Sequence, residues 1–188
     1  MTTLFVNACA RNESRTLALC RDYLKDVRDV ETVNLFDLDI APLDWNAVEE
    51  RMRLQQSEDW GDSMFDLAKQ FAAADEIVVG APYWDLSFPA ILKVYIEHTT
   101  VNGIVFHYNE AGRPEGLCKA KRLVYITTSG GPCTKLNLGY EYLQGIAGMF
   151  GIPETHLIAA EMLDVIGMDV DAIMAEAKEE IARLKERL

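Results

Sequence analysis

The sequence predicts an α/β protein whose core is a doubly wound, five-stranded parallel sheet with helices on both faces. Of five short strand-like segments, one alternates apolar and polar residues and the others are largely apolar, which is typical of strands that are buried on both faces of a parallel sheet. Amphipathic segments separate them, and strands that alternate with helices favour parallel βαβ units. The 188 residues are close to the length of one domain and contain no linker or internal repeat. We therefore expect a single domain over residues 1–188.

The first half of the chain supplies three strands and three helices. Compact or alternating apolar runs predict strands at 4–8, 31–35 and 77–80. Apolar residues at helical spacing predict the intervening helices at 17–27, 46–56 and 60–73.

The second half completes the alternation. Pro89 opens a helix, because the first turn tolerates a missing N–H. Further strands are predicted at 123–127 and 155–160, with a helix at 138–150 between them. The last helix follows Gly167 and is capped by Asp169. Residues 99–119 form a long loop, for which we expect a binding or dimer-contact role.

The charge balance restricts the partners of this protein. Thirty acidic and 18 basic side chains give a net charge of −12, and this field opposes binding to nucleic acid or to an anionic membrane surface. No apolar stretch reaches the roughly 18 residues that suggest a membrane span, and the first residues lack a secretory signal pattern. We therefore expect a cytoplasmic protein.

The cysteines and histidines indicate neither a disulfide framework nor a metal site. The four cysteines are scattered and form no Cys-x-x-Cys pair, so we expect reduced, mostly buried thiols. The three histidines, His98, His107 and His156, lack the spacing of metal ligands.

The loop after the first strand, residues 9–16, is the first of three candidate site loops. Ligands of doubly wound sheets bind beyond the carboxyl ends of the strands. This loop leads into a helix N-terminus and carries Arg11, Ser14, Arg15 and Thr16. Helix N–H groups, hydroxyls and guanidinium groups together suit a phosphate monoester. A plain N-cap with solvated arginines is the alternative. No dinucleotide or nucleoside-triphosphate glycine motif occurs.

The second candidate loop, residues 81–89 (APYWDLSFP), places Tyr83 and Trp84 directly after a buried strand. Its rigid, partly apolar backbone suits a flat aromatic ring system. Ordinary packing of the two aromatic side chains against the next helix is the alternative.

The third candidate loop is Thr128-Ser129-Gly130-Gly131, at the end of the fourth apolar strand. It offers two hydroxyls and two residues that permit a close backbone approach. By itself it is an ordinary turn, and its interest lies in its coincidence with the other two loops.

These segments together resemble a known family. Residues 81–93 (APYWDLSFPAILK) continue into 103–106 (GIVF), 114–117 (PEGL) and the third loop in matching order. The chain thereby resembles the FMN-dependent NAD(P)H azoreductase and NAD(P)H quinone reductase family, whose fold is flavodoxin-like. The similarity runs from Leu4 to about residue 160.

The resemblance implies that FMN binds at the three loops, with FAD as the less favoured cofactor. The implied cofactor contacts are Cys9, Arg11, Ser14, Arg15, Thr16, Pro82, Tyr83, Trp84, Asp85, Leu86, Thr128, Ser129, Gly130 and Gly131. The residues of the first loop would hold the phosphate. Those from Pro82 to Leu86 would lie along the isoalloxazine, and those from Thr128 to Gly131 would border its pyrimidine edge.

Two residues depart from the family pattern. Asp85 stands where these reductases often have asparagine, and a carboxylate facing the flavin would oppose negative charge on the reduced ring. Either only its backbone N–H touches the flavin, or its charge lowers the redox potential. Cys9 replaces a serine, so Arg11 and Arg15 would supply more of the phosphate neutralisation.

The implied reaction is a two-electron, ping-pong transfer. NADH or NADPH would deliver hydride to flavin N5, and a quinone would then be reduced in the same pocket, with azo compounds as a further acceptor class. The cofactor carries this chemistry, so no side chain is assigned as acid or base. The acceptor pocket would be lined by Tyr83, Trp84, Phe106 and Tyr108, although the last two could instead serve core or dimer packing. A homodimer that completes the site is also implied.

Two other functions remain open at this point: a flavodoxin-type electron carrier, and a flavin-binding module without turnover. The long aromatic loop favours the enzyme, because a carrier needs an exposed flavin edge rather than a covered pocket.

Overall fold

The computed structural model describes residues 1–187, which contain seven strands and six α-helices. The strands are β1 (Thr3–Asn7), β2 (Val30–Asn34), β3 (Glu76–Gly80), β4 (Phe106–Tyr108), β5 (Pro114–Gly116), β6 (Arg122–Thr128) and β7 (Glu154–Ala160). The helices are α1 (Arg15–Leu24), α2 (Trp45–Gln56), α3 (Asp66–Ala73), α4 (Ala90–Thr99), α5 (Leu138–Phe150) and α6 (Val170–Arg187). None of the described helices is long and apolar enough to cross a bilayer.

Five of the strands form one parallel sheet in the order β2-β1-β3-β6-β7. From β1 the chain runs outward to the edge strand β2 and then crosses back to β3. The strand order therefore reverses between β1 and β3, and such a switch point leaves a crevice at the carboxyl ends of the strands. This order is the flavodoxin-like one, and the predicted fold class is confirmed.

Helices cover both faces of the sheet, which explains why the central strands are apolar throughout. Val78 and Val79 are adjacent in β3 and point to opposite faces. Val78 packs in a cluster with residues of α1 and α6, and Val79 packs in a second cluster with residues of α3, α4 and α5. Burying each valine contributes about 1.5–3 kcal/mol.

The predicted helix at 60–73 begins later than expected. Asp62 accepts a hydrogen bond from the Met64 N–H, and a short 3-10 turn over Ser63–Phe65 precedes α3 at Asp66. Asp and Gly near this boundary favour turns over helix, because the Asp side chain competes for backbone donors.

The prediction that residues 99–119 form a long loop without secondary structure was wrong. It contains an antiparallel hairpin of β4 and β5, whose turn is organised by the Asn109 side chain accepting from Ala111 and Arg113 N–H groups. The hairpin packs tightly against the end of α5, since a Cβ on Gly116 would lie 2.0 Å from the Gly151 nitrogen. Strands of three residues with polar members carry too little periodicity for recognition from sequence.

Candidate functional site

A cavity of about 450 Å³ opens at the carboxyl edge of the sheet, where β1, β3 and β6 end. We call it the three-loop cavity. It is lined by Ala10, Arg11, Glu13, Ser14, Arg15, Thr16, Pro82, Tyr83, Trp84, Thr128, Ser129, Gly130, Leu163 and Asp164. All three loops singled out from the sequence contribute to its wall. Its volume lies within the range of about 300–1,000 Å³ that is usual for ligand pockets.

One end of the cavity is suited to an anion. Ser14 is the N-cap of α1, and its Oγ accepts from the Leu17 N–H at 3.2 Å. The N–H groups of Arg15 and Thr16 in the first turn have no acceptor within the helix. Their positive dipole end, together with the Arg11 and Arg15 guanidinium groups, favours a phosphate.

The first and third loops are tied together by two threonines. The hydroxyl oxygens of Thr16 and Thr128 lie 2.7 Å apart, and the Thr16 side chain is buried. The second loop joins them through the Tyr83 N–H, which donates to the Thr128 carbonyl at 3.0 Å. Because these bonds link all three loops, the wall of the cavity is held as one unit.

A tight two-residue turn shapes the second loop. Trp84 and Ser87 exchange both of their backbone hydrogen bonds, at 3.0 and 2.8 Å. The two residues between them, Asp85 and Leu86, have φ values of 50° and 66°. Turns with two left-handed residues prefer Asn-Gly, and a leucine in this conformation costs roughly 1–2 kcal/mol. Strain of this kind clusters at functional sites.

Aromatic side chains of the second loop form part of the cavity wall. The Tyr83 hydroxyl donates to the Leu136 carbonyl at 2.7 Å, which fixes its ring. Trp84 remains 47% exposed beside it. The indole therefore offers an accessible flat surface at the mouth of the cavity.

Asp164 is a wall residue that the sequence did not reveal. Its Oδ1 accepts from Arg15 Nη1 at 3.1 Å, although 149 positions separate the two residues. The Asp164 N–H donates to the Gly130 carbonyl, and the preceding Leu163 N–H donates to the Ser129 carbonyl. The one available signal was its place after the last strand, at the same edge of the sheet as the other loops.

A neighbouring carboxylate anchors the chain that follows the third loop. Glu161 accepts from the N–H groups of Cys133 and Thr134, at 2.6 and 2.8 Å, and from the Thr134 hydroxyl. Burial raises the pKa of Glu161, but these hydrogen bonds outweigh burial and hold the pKa below its ordinary value. The ionised form of Glu161 thus stabilises this loop.

The structure does not bring Phe106 to the cavity. Phe106 is only 6% exposed, and its ring stacks on Phe150 at 6.4 Å between centroids. Phe106 therefore packs in the core, which was one of the alternatives to a place in the acceptor pocket. Tyr108 is exposed on the hairpin and lies outside the described wall of the cavity.

Four further predicted residues also lie outside the wall. Cys9 is buried, with its Sγ directed at the Gly80 carbonyl, and burial raises the pKa of its thiol. The Gly131 carbonyl is occupied by the Met162 N–H. Asp85 and Leu86 form the tip of the turn behind Trp84.

Comparison with known proteins agrees with this geometry. The sequence model of the family described as "Flavodoxin-like fold" matches residues 1–184. The FMN-dependent NADH:quinone oxidoreductase 2 of Clostridium acetobutylicum is 37% identical over 184 residues, which cover 91% of either chain. The FMN-dependent NADH:quinone oxidoreductase of Clostridium beijerinckii is 36% identical over 184 residues, with 93% of this chain and 92% of the relative covered.

Solved structures share the fold along the whole chain. The FMN-dependent NADH-azoreductase from Bacillus anthracis str. Ames Ancestor, solved in complex with FMN, has a TM-score of 0.82 and 21% identity. The alignment covers 100% of this chain and 99% of that one. The fold, the profile match and the relatives agree with the resemblance in the sequence: this chain belongs to the flavodoxin-like fold family.

Proposed function

We propose that this protein is an FMN-dependent NADH:quinone oxidoreductase. The observation that carries the proposal is the three-loop cavity, which joins an anion-binding helix N-terminus to an aromatic wall at the switch point of the sheet. The relatives from two Clostridium species are named for this activity, and both align over most of the chain.

The donor groups of the cavity fit FMN. A phosphate dianion matches the first turn of α1, the hydroxyls of Ser14 and Thr16, and the guanidinium groups of Arg11 and Arg15. The flat ring system matches the wall residues Pro82, Tyr83 and Trp84. We therefore assign these residues to cofactor binding, with Thr128, Ser129 and Gly130 bordering the ring.

A bound flavin would supply the two-electron chemistry between NADH and the acceptor. The chain holds and orients the reactants. Exposed Trp84 gives a flat surface for a nicotinamide and then for a quinone, so one pocket serves both in turn. Because the two substrates occupy a single pocket one after the other, the scheme is ping-pong. It requires no side chain as acid or base.

We further propose that two copies of the chain associate at the mouth of the cavity. The cavity residue Trp84 and three residues of the neighbouring segments, Leu86, Leu136 and Leu138, are large apolar side chains that are all substantially exposed. The Leu138 N–H donates to the Leu86 carbonyl, so these residues form one patch. Such patches mark interaction surfaces. A quinone-like acceptor, a cytoplasmic location and a single-domain chain complete the proposal.

Flavin retention followed by anaerobic reduction tests this function. The purified protein is mixed with FMN, freed of excess flavin, and titrated with NADH without oxygen while the visible spectrum is recorded. We expect retained flavin that bleaches, followed by return of the colour when a benzoquinone is added. Retained flavin that NADH does not bleach would indicate an electron carrier or a binding module without turnover. Bleaching without return of the colour would contradict quinone as the acceptor, and complete loss of flavin would contradict the proposed site.

A further inference from the structure

We propose that Asp164 is a positioning residue that holds Arg15 over the anion-binding end of the three-loop cavity. Its carboxylate thereby strengthens the binding of the cofactor phosphate although it carries the same sign of charge. This inference rests on the proposed function and adds one residue to the binding of the same cofactor.

The contact between the two side chains leaves Arg15 able to bind an anion. They share one contact, in which Arg15 Nη1 lies 3.1 Å from Asp164 Oδ1. A guanidinium carries five N–H donors in a rigid fork, so one contact leaves the others free. Arg15 is about half exposed, and an untethered side chain of this length samples many rotamers. The contact with Asp164 restricts that sampling before the anion arrives.

Asp164 is itself fixed in place by the third loop. Its N–H donates to the Gly130 carbonyl at 3.1 Å, next to a parallel contact from Leu163 to Ser129. The carboxylate also lies directly against Gly130, since a Cβ at that position would be 2.4 Å from Asp164 Oδ2. The absence of a Cβ at position 130 therefore leaves the space that the carboxylate occupies beside Arg15.

A second carboxylate on the same wall provides an internal comparison. Glu13 lines the three-loop cavity, but within residues 1–187 it takes part in no side-chain hydrogen bond or ion pair. Elementary electrostatics predicts that neutralising either carboxylate favours a bound dianion. If Asp164 positions Arg15, neutralising Asp164 should instead weaken binding of the dianion. Neutralising Glu13 should not weaken it.

The test measures the affinity of the full-length protein for FMN and for riboflavin, which lacks the phosphate. We expect Asp164→Asn to weaken FMN binding by about three- to fivefold, the scale of an exposed charged pair. Riboflavin affinity should stay unchanged. Glu13→Gln, the matched control, should tighten FMN binding slightly or leave it unaltered.

A double-mutant cycle with Arg15→Ala separates positioning from a general structural effect. In the Arg15→Ala background, Asp164→Asn should no longer weaken FMN binding. Gly130→Ala, which displaces the carboxylate, should reproduce the loss in the parent protein. Any one of three results would overturn the inference. Asp164→Asn could bind FMN more tightly, could lose affinity equally for FMN and riboflavin, or could lose as much FMN affinity in the Arg15→Ala background as in the parent protein. If the unaltered protein bound no FMN, the proposed function itself would fail, which is a distinguishable result.

Discussion

The hydroxyl oxygens of Thr16 and Thr128 lie 2.7 Å apart and join the N-terminus of α1 to the end of β6. This bond crosses the point where the strand order reverses, so it links the anion-binding end of the three-loop cavity to the third loop. The Thr16 side chain is buried, and a buried hydroxyl without a partner costs about 1–3 kcal/mol.

Replacing Thr128 with valine should therefore destabilise the protein and loosen the site. We expect Thr128→Val to lower the free energy of unfolding by about 1–2 kcal/mol, because the buried Thr16 hydroxyl loses its partner. Urea denaturation measures this change. Thr32→Val, at an exposed position of the edge strand, serves as the control and should be nearly neutral. Equal effects of the two variants would contradict the structural role of the threonine pair.

The left-handed turn at Asp85 and Leu86 predicts that a glycine variant is more stable than an alanine variant, the reverse of the order in a helix. At φ 66° glycine carries no steric penalty, whereas alanine does. Leu86→Gly should therefore be more stable than Leu86→Ala by about 1 kcal/mol. At Met52, exposed in α2, alanine should be better than glycine by a similar amount. Thermal unfolding of the four variants checks this reversal, and the same order at both positions would show that the turn is not strained.

The carboxylate of Asp85 should influence the redox potential of bound flavin. Asp85 follows the wall residue Trp84 directly, and its negative charge opposes the addition of electrons. We expect Asp85→Asn to raise the midpoint potential by roughly 20–40 mV. Spectroelectrochemistry measures the shift, with Glu110→Gln in the hairpin turn as the control. An unchanged potential would mean that the turn acts on the flavin through its backbone alone.

Glu161 predicts a pH-dependent contribution to stability. Because its pKa is held below the ordinary 4.5, its ionised form stabilises the folded state. That contribution is present above the unfolded pKa and is lost as the pH falls through the lower folded value. The stability gap between the unaltered protein and Glu161→Gln should shrink on acidification from neutral pH to about pH 3. Denaturation at several pH values measures the gap, and a constant gap would refute the assignment. Glu49→Gln, at an exposed position of α2, is the matched control for removal of one surface carboxylate.

The sequence was sufficient to predict the sheet and the three loops because these depend on local patterns. Continuous apolar runs such as 77–80 mark strands buried on both faces, and the loops that follow them must meet at one edge of the sheet. Ser14 as a helix cap is likewise visible from its neighbours alone.

The contacts that could not be predicted depend on long-range packing. Asp164 meets Arg15 across 149 positions, and its place is set by Gly130 rather than by any motif around it. The family resemblance implied that Phe106, an aromatic residue of the long segment, lines an acceptor pocket. The hairpin folds that segment against α5, where stacking on Phe150 buries the ring.

Steady-state oxidation of NADH by the FMN-loaded protein, with a benzoquinone as acceptor, is the decisive measurement of the proposed quinone oxidoreductase activity. Initial rates are measured while both substrates are varied. We expect quinone-dependent oxidation of NADH and parallel lines in double-reciprocal plots, because both substrates use the same pocket in turn. If the protein holds FMN stoichiometrically but oxidises NADH no faster with quinone than without it, it is not a quinone oxidoreductase.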